Sequence, residues 1–198
     1  RSPREAFVYD QVVSFGELIS TSIVCAYLNH VGIAAEWVDA RACIKTDDFY
    51  RSAHLDWERT QLAIQNQVQE NVLKVTQGFI GSDDNNFTTT LGREGSDYSA
   101  AIFAYCLGAT EVTIWKDVPG VLNADPRVFD KTQLLHHISY QEAIELAFYG
   151  ASVIHPKTLQ PLQRKEIPLF VKSFLNPTES GTQVGKGVRM RPEVPCYI

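Results

Sequence analysis

The sequence predicts an α/β protein, a sheet covered by helices on both faces with ligands bound at the carboxyl ends of its strands. Three observations carry this. Runs rich in β-branched residues alternate with helical runs; glycine or proline punctuates the joins; and 44% apolar content over 198 residues suffices to bury one sizeable core.

Residues 17–30 (ELISTSIVCAYLNH) are apolar on most faces and stop before Val31-Gly32, which predicts a buried helix closed by glycine. Gly16 and Glu17 then stand at its start. Residues 33–39 read as a strand, residues 57–71 as an amphipathic helix, and residues 72–80 as the strand it runs into. Residues 82–90 are polar and turn-like. Residues 96–107 form an alanine-rich helix ended by Gly108, and residues 111–115 alternate as a strand. Ser139 and Glu142 make a capping box for a helix that stops at Gly150, and Pro156 is suited to open the next. Residues 167–174 are the last strand expected, and residues 176–186 (NPTESGTQVGK) a glycine-bearing loop.

The net charge of −5 and the scatter of Lys and Arg recommend neither nucleic acid nor an anionic membrane as partner. Small metabolites are the default. Cys25, Cys43, Cys106 and Cys196 form no Cys-x-x-Cys pair, which favours a reducing cytosol. No apolar stretch is read as approaching the roughly 18–20 residues that cross a bilayer, and no charged-then-apolar leader opens the chain, so a soluble, cytoplasmic protein is expected. Arg1-Ser2-Pro3 already enters a helix and the only methionine is Met190, so further chain is expected upstream. The tail, which ends Pro195-Cys196-Tyr197-Ile198, is expected to continue downstream.

Three segments carry chemistry. In residues 88–99 (TTTLGREGSDYS), Gly92 and Gly95 permit sharp turns, while Ser96 and Asp97 sit where a helix begins. A helix start attracts anions, and Arg93 adds a planar fork for a carboxylate. An ordinary glycine-flanked turn is the competing reading. In residues 14–21 (SFGELIST), Glu17 reads either as complement to a helix dipole or as ligand for an ammonium group. Residues 115–127 (WKDVPGVLNADPR) leave a strand end, where nucleotides bind in α/β proteins; Lys116 offers a cation for phosphate, and Val121 and Leu122 apolar surface for a base.

Together these segments, with residues 78–82 (GFIGS) and 150–159 (GASVIHPKTL), resemble the amino-acid kinase family and, within it, the aspartokinases. The likeness runs from about residue 12 to residue 184. It implies a three-layer α/β/α sandwich of the carbamate kinase-like type with a mainly parallel central sheet. It implies that residues 1–187 are a partial catalytic domain lacking its N-terminal phosphate-loop strand, and that residues 188–198 lead toward C-terminal ACT-type regulatory domains. The activity implied is transfer of the ATP γ-phosphoryl group to the β-carboxylate of L-aspartate, giving 4-phospho-L-aspartate, the first step toward lysine, threonine and methionine.

Under the resemblance Arg93 would hold the α-carboxylate of aspartate and Glu17 its amino group, with Thr90, Gly95 and Ser96 beside them. Asp97 and Lys116 are the catalytic candidates, the first ordering substrate and the second supplying positive charge near the phosphates. Lys116, Asp117, Leu122, Asp125, Arg127 and Ser152 would line the ATP pocket. Many relatives carry Tyr where Leu122 stands, and Lys where Ser152 stands, so Lys116 is expected to supply that cation instead. The family's Lys-Phe-Gly-Gly-Thr-Ser phosphate loop does not occur in this sequence, and the chain by itself is expected to be inactive or nearly so.

The chemistry suits such residues. A carboxylate nucleophile with a pKa of about 4 is ionised at neutral pH and needs no general base. The difficulty is its repulsion by a polyanion, which Mg²⁺, cations and helix N-termini relieve. Mg²⁺ would be held mainly through ATP phosphates and water, with no dedicated metal site. His30, His54, His136, His137 and His155 show no zinc spacing, and His155 reads as a helix-entry residue. The implied partners are L-aspartate, ATP and further copies of the chain in a homo-oligomer, with an amino-acid feedback effector bound outside this chain. A kinase for glutamate or acetylglutamate, and a non-catalytic ligand-binding or oligomerising module, are the alternatives.

Overall fold

A computed structural model describes residues 3–68, 72–148 and 153–196. The chain divides into two compact units, Arg1–Ser99 and Ala100–Ile198, with the division falling inside helix α4 (Gly95–Leu107).

The first unit opens with α1 (Pro3–His30), 28 residues long. Its start at Pro3 suits a residue whose absent N–H would be unpaired in a first turn. Its end follows the expected glycine stop: Gly32 is left-handed at φ 84° and the Ile33 N–H reaches back to the Leu28 carbonyl at 2.9 Å. Two expectations are corrected here. Gly16 and Glu17 lie in mid-helix, and α1 is not buried, because it turns its polar residues inward. Asp10 and Ser14 are buried, whereas Val12, Phe15, Ile19, Ile23 and Tyr27 form an exposed apolar stripe. By length and composition α1 could also cross a bilayer, contrary to the sequence reading. Its polar side chains are instead engaged within the unit: the Gln11 amide pairs with both backbone groups of Thr88, at 2.7 and 3.2 Å, and the Asn29 amide with both of Ala35, at 2.8 and 3.2 Å.

After α1 come β1 (Ala35–Val38), α2 (Ala40–Cys43), α3 (Trp57–Gln67), β2 (Leu73–Thr76), β3 (Ile80–Ser82) and β4 (Thr88–Thr90). β1 pairs in parallel with β2, and β3 antiparallel with β4 in the register Ile80–Thr90. Residues expected to be a polar turn thus include a buried strand. β-branched threonine suits a strand, and its hydroxyl is tolerated when bonded; those of Thr89 and Thr46 meet at 2.7 Å. The turn proper is held by Asp83, whose Oδ1 accepts the N–H groups of Asn85 and Phe87, each at 2.9 Å.

The second unit holds β5 (Val112–Lys116), β6 (His137–Ser139), α5 (Tyr140–Phe148), α6 (Pro156–Lys165), β7 (Leu169–Ser173) and β8 (Thr182–Gly185). Its sheet has the order β5-β7-β8-β6, with β5–β7 and β6–β8 parallel and β7–β8 antiparallel. Among the described residues, three of the five pairings between strands are therefore parallel. β6 was not foreseen. β8 lies where a loop was expected: Gly181, at φ 68°, packs so tightly that a Cβ would stand 2.1 Å from the Val171 carbonyl oxygen, and this returns the chain alongside β7.

The expected caps are present. Glu142 Oε2 accepts the Ser139 N–H at 2.7 Å and its hydroxyl at 2.8 Å, while the Glu142 N–H donates to Ser139 Oγ at 3.2 Å. His155 enters α6 by accepting the Lys157 N–H at 3.1 Å. The helix stop predicted at Gly150 lies outside the described residues. Leu135, Ile138, Leu159, Leu162, Leu169 and Val171 are wholly buried and form the centre of this unit's core. The four cysteines are free thiols, and burial pushes Cys43 and Cys106 up to about 11.

Candidate active-site residues

In the first unit, β4 delivers Thr90 to a turn that ends where α4 begins at Gly95. Arg93 sits exposed between two left-handed residues, Gly92 at φ 78° and Glu94 at φ 56°. Gly95 is required by space rather than by dihedral, since a Cβ there would lie 2.7 Å from the Phe79 ring. Ser99 Oγ pins this first turn by donating to the Gly95 carbonyl and accepting the Phe79 N–H, both at 2.9 Å. Ser96 is exposed and Asp97 half-buried at the positive end of α4, where first-turn N–H groups favour an anion. Thr90 is fully buried, and its hydroxyl donates to Asp10 Oδ1 at 3.0 Å.

Glu17 lies half-buried in mid-helix rather than at a helix start, and only its backbone carbonyl is tied toward this region. Its carbonyl accepts the Thr21 hydroxyl at 2.7 Å, and Thr21 Oγ1 accepts from Gln77 Nε2 at 2.8 Å and from the Trp37 indole at 3.0 Å. Gln77 precedes Gly78, which abuts Ser96. Burial raises the Glu17 carboxyl above its ordinary 4.5.

In the second unit, one connection carries five of the expected nucleotide residues. Lys116 is the last residue of β5 and half-buried, and Asp117 is exposed. Gly120, at φ 146°, approaches so closely that a Cβ would lie 2.5 Å from Thr182 Oγ1, which also accepts the Val121 N–H at 2.8 Å. Val121 is thereby drawn into the core at 5% exposure, so the apolar surface expected for a base falls to half-buried Leu122. Arg127 makes a two-pronged bond to Asp125, at 3.1 and 2.7 Å, and these hydrogen bonds hold the Asp125 carboxyl below its usual range. Ser152 lies outside the described residues. Among the described residues, no group of three or more His, Cys, Asp or Glu side chains is placed to hold a metal ion.

Sequence reasoning passed over Asp10, Thr21 and Gln77. Asp10 left one signal, a single carboxylate within the apolar run Phe7-Val8-Tyr9-Asp10-Gln11-Val12-Val13. Gln77 left none, because its partners are remote in sequence.

The α/β fold, with a glycine-turned arginine before one helix and a cation at a strand end, places the chain in a class the comparisons define: it belongs to the amino acid kinase family, whose model matches residues 2–173. It is 42% identical over 179 residues to the lysine-sensitive aspartokinase 3 of Escherichia coli strain K12, covering 88% of this chain and 40% of that protein. Among solved structures it matches E. coli aspartokinase III in complex with aspartate and ADP (R-state) with a TM-score of 0.87 at 41% identity, over 93% of this chain and 41% of that one. The complex of aspartokinase III with lysine and aspartate (T-state) matches over the same shares, with a TM-score of 0.83 at 41% identity. The chain thus spans about two fifths of the length of these relatives.

Proposed function

We propose that this chain carries acceptor- and nucleotide-binding residues of an aspartate kinase, which moves the γ-phosphoryl group of ATP onto the β-carboxylate of L-aspartate. The observation that carries the reading is the likeness, over 93% of the chain, to an aspartokinase that holds aspartate and ADP.

The local geometry supports definite roles. Arg93, presented by two left-handed neighbours at the opening of α4, grips the α-carboxylate of aspartate; Ser96 and the first-turn N–H groups share that anion. Glu17 takes the ammonium group and Asp97 orders the acceptor, while buried Thr90 and Gly95 support the turn from behind rather than touching the substrate. Lys116 and Arg127 meet the phosphates of ATP, with Asp117, Asp125 and Ser152 nearby and Leu122 against the base or ribose. The acceptor arrives ionised, so the protein's task is alignment and charge neutralisation rather than proton removal. Mg²⁺ enters with the nucleotide as MgATP. An amino-acid effector, a homo-oligomeric state and a cytoplasmic location complete the reading.

The test is aspartate-dependent ADP release by the full-length enzyme, with glutamate and acetylglutamate as competitors for the role of acceptor. Turnover with aspartate alone is expected, together with an acyl phosphate trapped by hydroxylamine. Turnover with glutamate in preference, or tight calorimetric binding of neither aspartate nor ATP, would overturn the reading.

A further inference from the structure

Asp10 is wholly buried, and its carboxylate accepts three hydrogen bonds from two distant stretches of chain. Oδ2 takes the N–H of Thr90 at 2.8 Å and the N–H of Arg51 at 2.9 Å, and Oδ1 takes the Thr90 hydroxyl at 3.0 Å. The donors are neutral backbone and hydroxyl groups, and the Arg51 guanidinium lies elsewhere, over the Tyr9 ring at 4.1 Å. A buried carboxyl group is tolerated only where its oxygens are bonded, and here those bonds tie two distant stretches of chain to one side chain.

What it holds is the base of the Arg93 turn. Arg51 is itself left-handed at φ 70°, a conformation that disfavours arginine unless its surroundings impose it. The Ala53 N–H donates to the Thr90 carbonyl at 2.9 Å, and the Leu91 N–H to the Phe79 carbonyl at 2.8 Å. At Gly92 a Cβ would meet Ser52 Oγ at 3.1 Å and the Arg51 carbonyl at 3.2 Å. Residues 90–92 are therefore fixed on both sides, and Arg93 is the next residue out.

We propose that Asp10 is a positioning residue for the acceptor site: its carboxylate locks the 51–53 and 90–92 turns together so that the Arg93 guanidinium is presented ready for the α-carboxylate of the amino-acid acceptor. The inference rests on the aspartate kinase reading. It assigns Asp10 no contact with substrate. A loosened clamp lets Arg93 sample other directions, so acceptor affinity suffers while the nucleotide, held by other residues, is bound as before.

The test compares Asp10→Leu and Asp10→Asn in the full-length enzyme by steady-state kinetics and thermal melting. Leucine leaves the Thr90 and Arg51 N–H groups without their acceptor, and KM for aspartate is expected to rise about tenfold or more with KM for ATP changed less than about twofold. Asparagine can offer its oxygen to both N–H groups and its amide to the Thr90 hydroxyl, so it should restore KM for aspartate to within about threefold of wild type. Should the leucine variant not fold, Asp10→Ala, which leaves room for a water molecule at the two N–H groups, replaces it with the same expectation. An unchanged KM for aspartate, equal rises in both KM values, or failure of both the leucine and alanine variants to fold would each overturn the proposal, the last because the carboxylate would then serve the fold alone. Wild-type enzyme is assayed first: absence of aspartate-dependent turnover sinks the functional reading, whereas its presence with insensitive Asp10 variants sinks the clamp only.

Discussion

A Cβ placed on Gly78 would stand 2.9 Å from both the Cα and the Cβ of Ser96, the second residue of α4. Backbone atoms cannot swing aside as a flexible side chain can, so Gly78→Ala must shift the β2–β3 connection, the helix start, or both. We expect Gly78→Ala to cost about 1–3 kcal/mol of stability, as overpacking does. Because the helix start that moves is the proposed anion site, KM for aspartate should also rise. A denaturant midpoint equal to that of wild type would show that the close approach is not a constraint.

Gln77 is wholly buried, with its Oε1 accepting the Ala40 N–H at 2.8 Å and its Nε2 donating to Thr21 at 2.8 Å. Gln77→Leu fills similar space and leaves the Ala40 N–H with no acceptor. The expected loss is about 1–3 kcal/mol, since an unmet buried donor forfeits its full hydration. Thr21→Val, which removes the hydroxyl that receives both Gln77 and the Trp37 indole, should cost a comparable amount. The pair lends itself to a double-mutant cycle, and strict additivity of the two losses would refute a shared network.

The parts of this fold that were legible are those whose signal is local. Ser139 and Glu142, Pro156 and Gly108 each mark a helix end through chemistry confined to a few neighbouring residues, and each stands where the sequence placed it. β6 and β8 were not legible: His-Ile-Ser becomes a strand only through β8, some 46 residues on, and Thr-Gln-Val-Gly, short and flanked by glycine, reads as a loop until it pairs with β7 and β6. A helix is expected to open at residues 1–3 and another at residue 17, and the continuity of the two as one α1 was hidden for a related reason. Asp10, Gln11 and Ser14 interrupt the apolar pattern, yet they face inward, where remote backbone groups satisfy them. In the acceptor site, Arg93 and the opening of α4 could be read from glycine spacing, and Gly92 before Arg93 is left-handed as that spacing suggests, but the left-handed residue after it is Glu94 rather than Gly95. The buried carboxylate beneath that turn, Asp10, comes from a position 80 residues away from Thr90.

Arg127 is exposed and Asp125 partly so, at side-chain exposures of 88% and 33%, which leaves their pairing open to water. An exposed pair adds little to folding, so Arg127→Ala should leave the melting temperature unchanged. If the guanidinium transfers from Asp125 to a nucleotide phosphate, KM for ATP should rise about threefold to thirtyfold, with KM for aspartate unaltered. Asp125→Asn, which loosens the competing pair, should change KM for ATP in the opposite direction or not at all. Equal ATP kinetics for wild type and Arg127→Ala would remove the residue from the nucleotide site.

Burial lifts the Glu17 carboxyl above its ordinary 4.5, and this makes acceptor binding depend on pH with a definite sign. Between 4.5 and the lifted value the free folded chain holds more protons than the unfolded chain, so Glu17 itself takes stability away as pH rises through that window. Binding of an ammonium group reverses the preference. A neighbouring cation favours the carboxylate, so the acceptor expels the proton, and its affinity should climb as pH rises through the lifted value and level off above it. The acceptor's own side chain ionises at about 4, below this window, so the two effects separate. Calorimetric titration of aspartate against pH should therefore show a limb above 4.5 that Glu17→Gln lacks, with the variant binding more weakly at neutral pH. A wild-type affinity that is flat from 4.5 upward would place the ammonium group elsewhere and leave Glu17 as a structural carboxylate of α1.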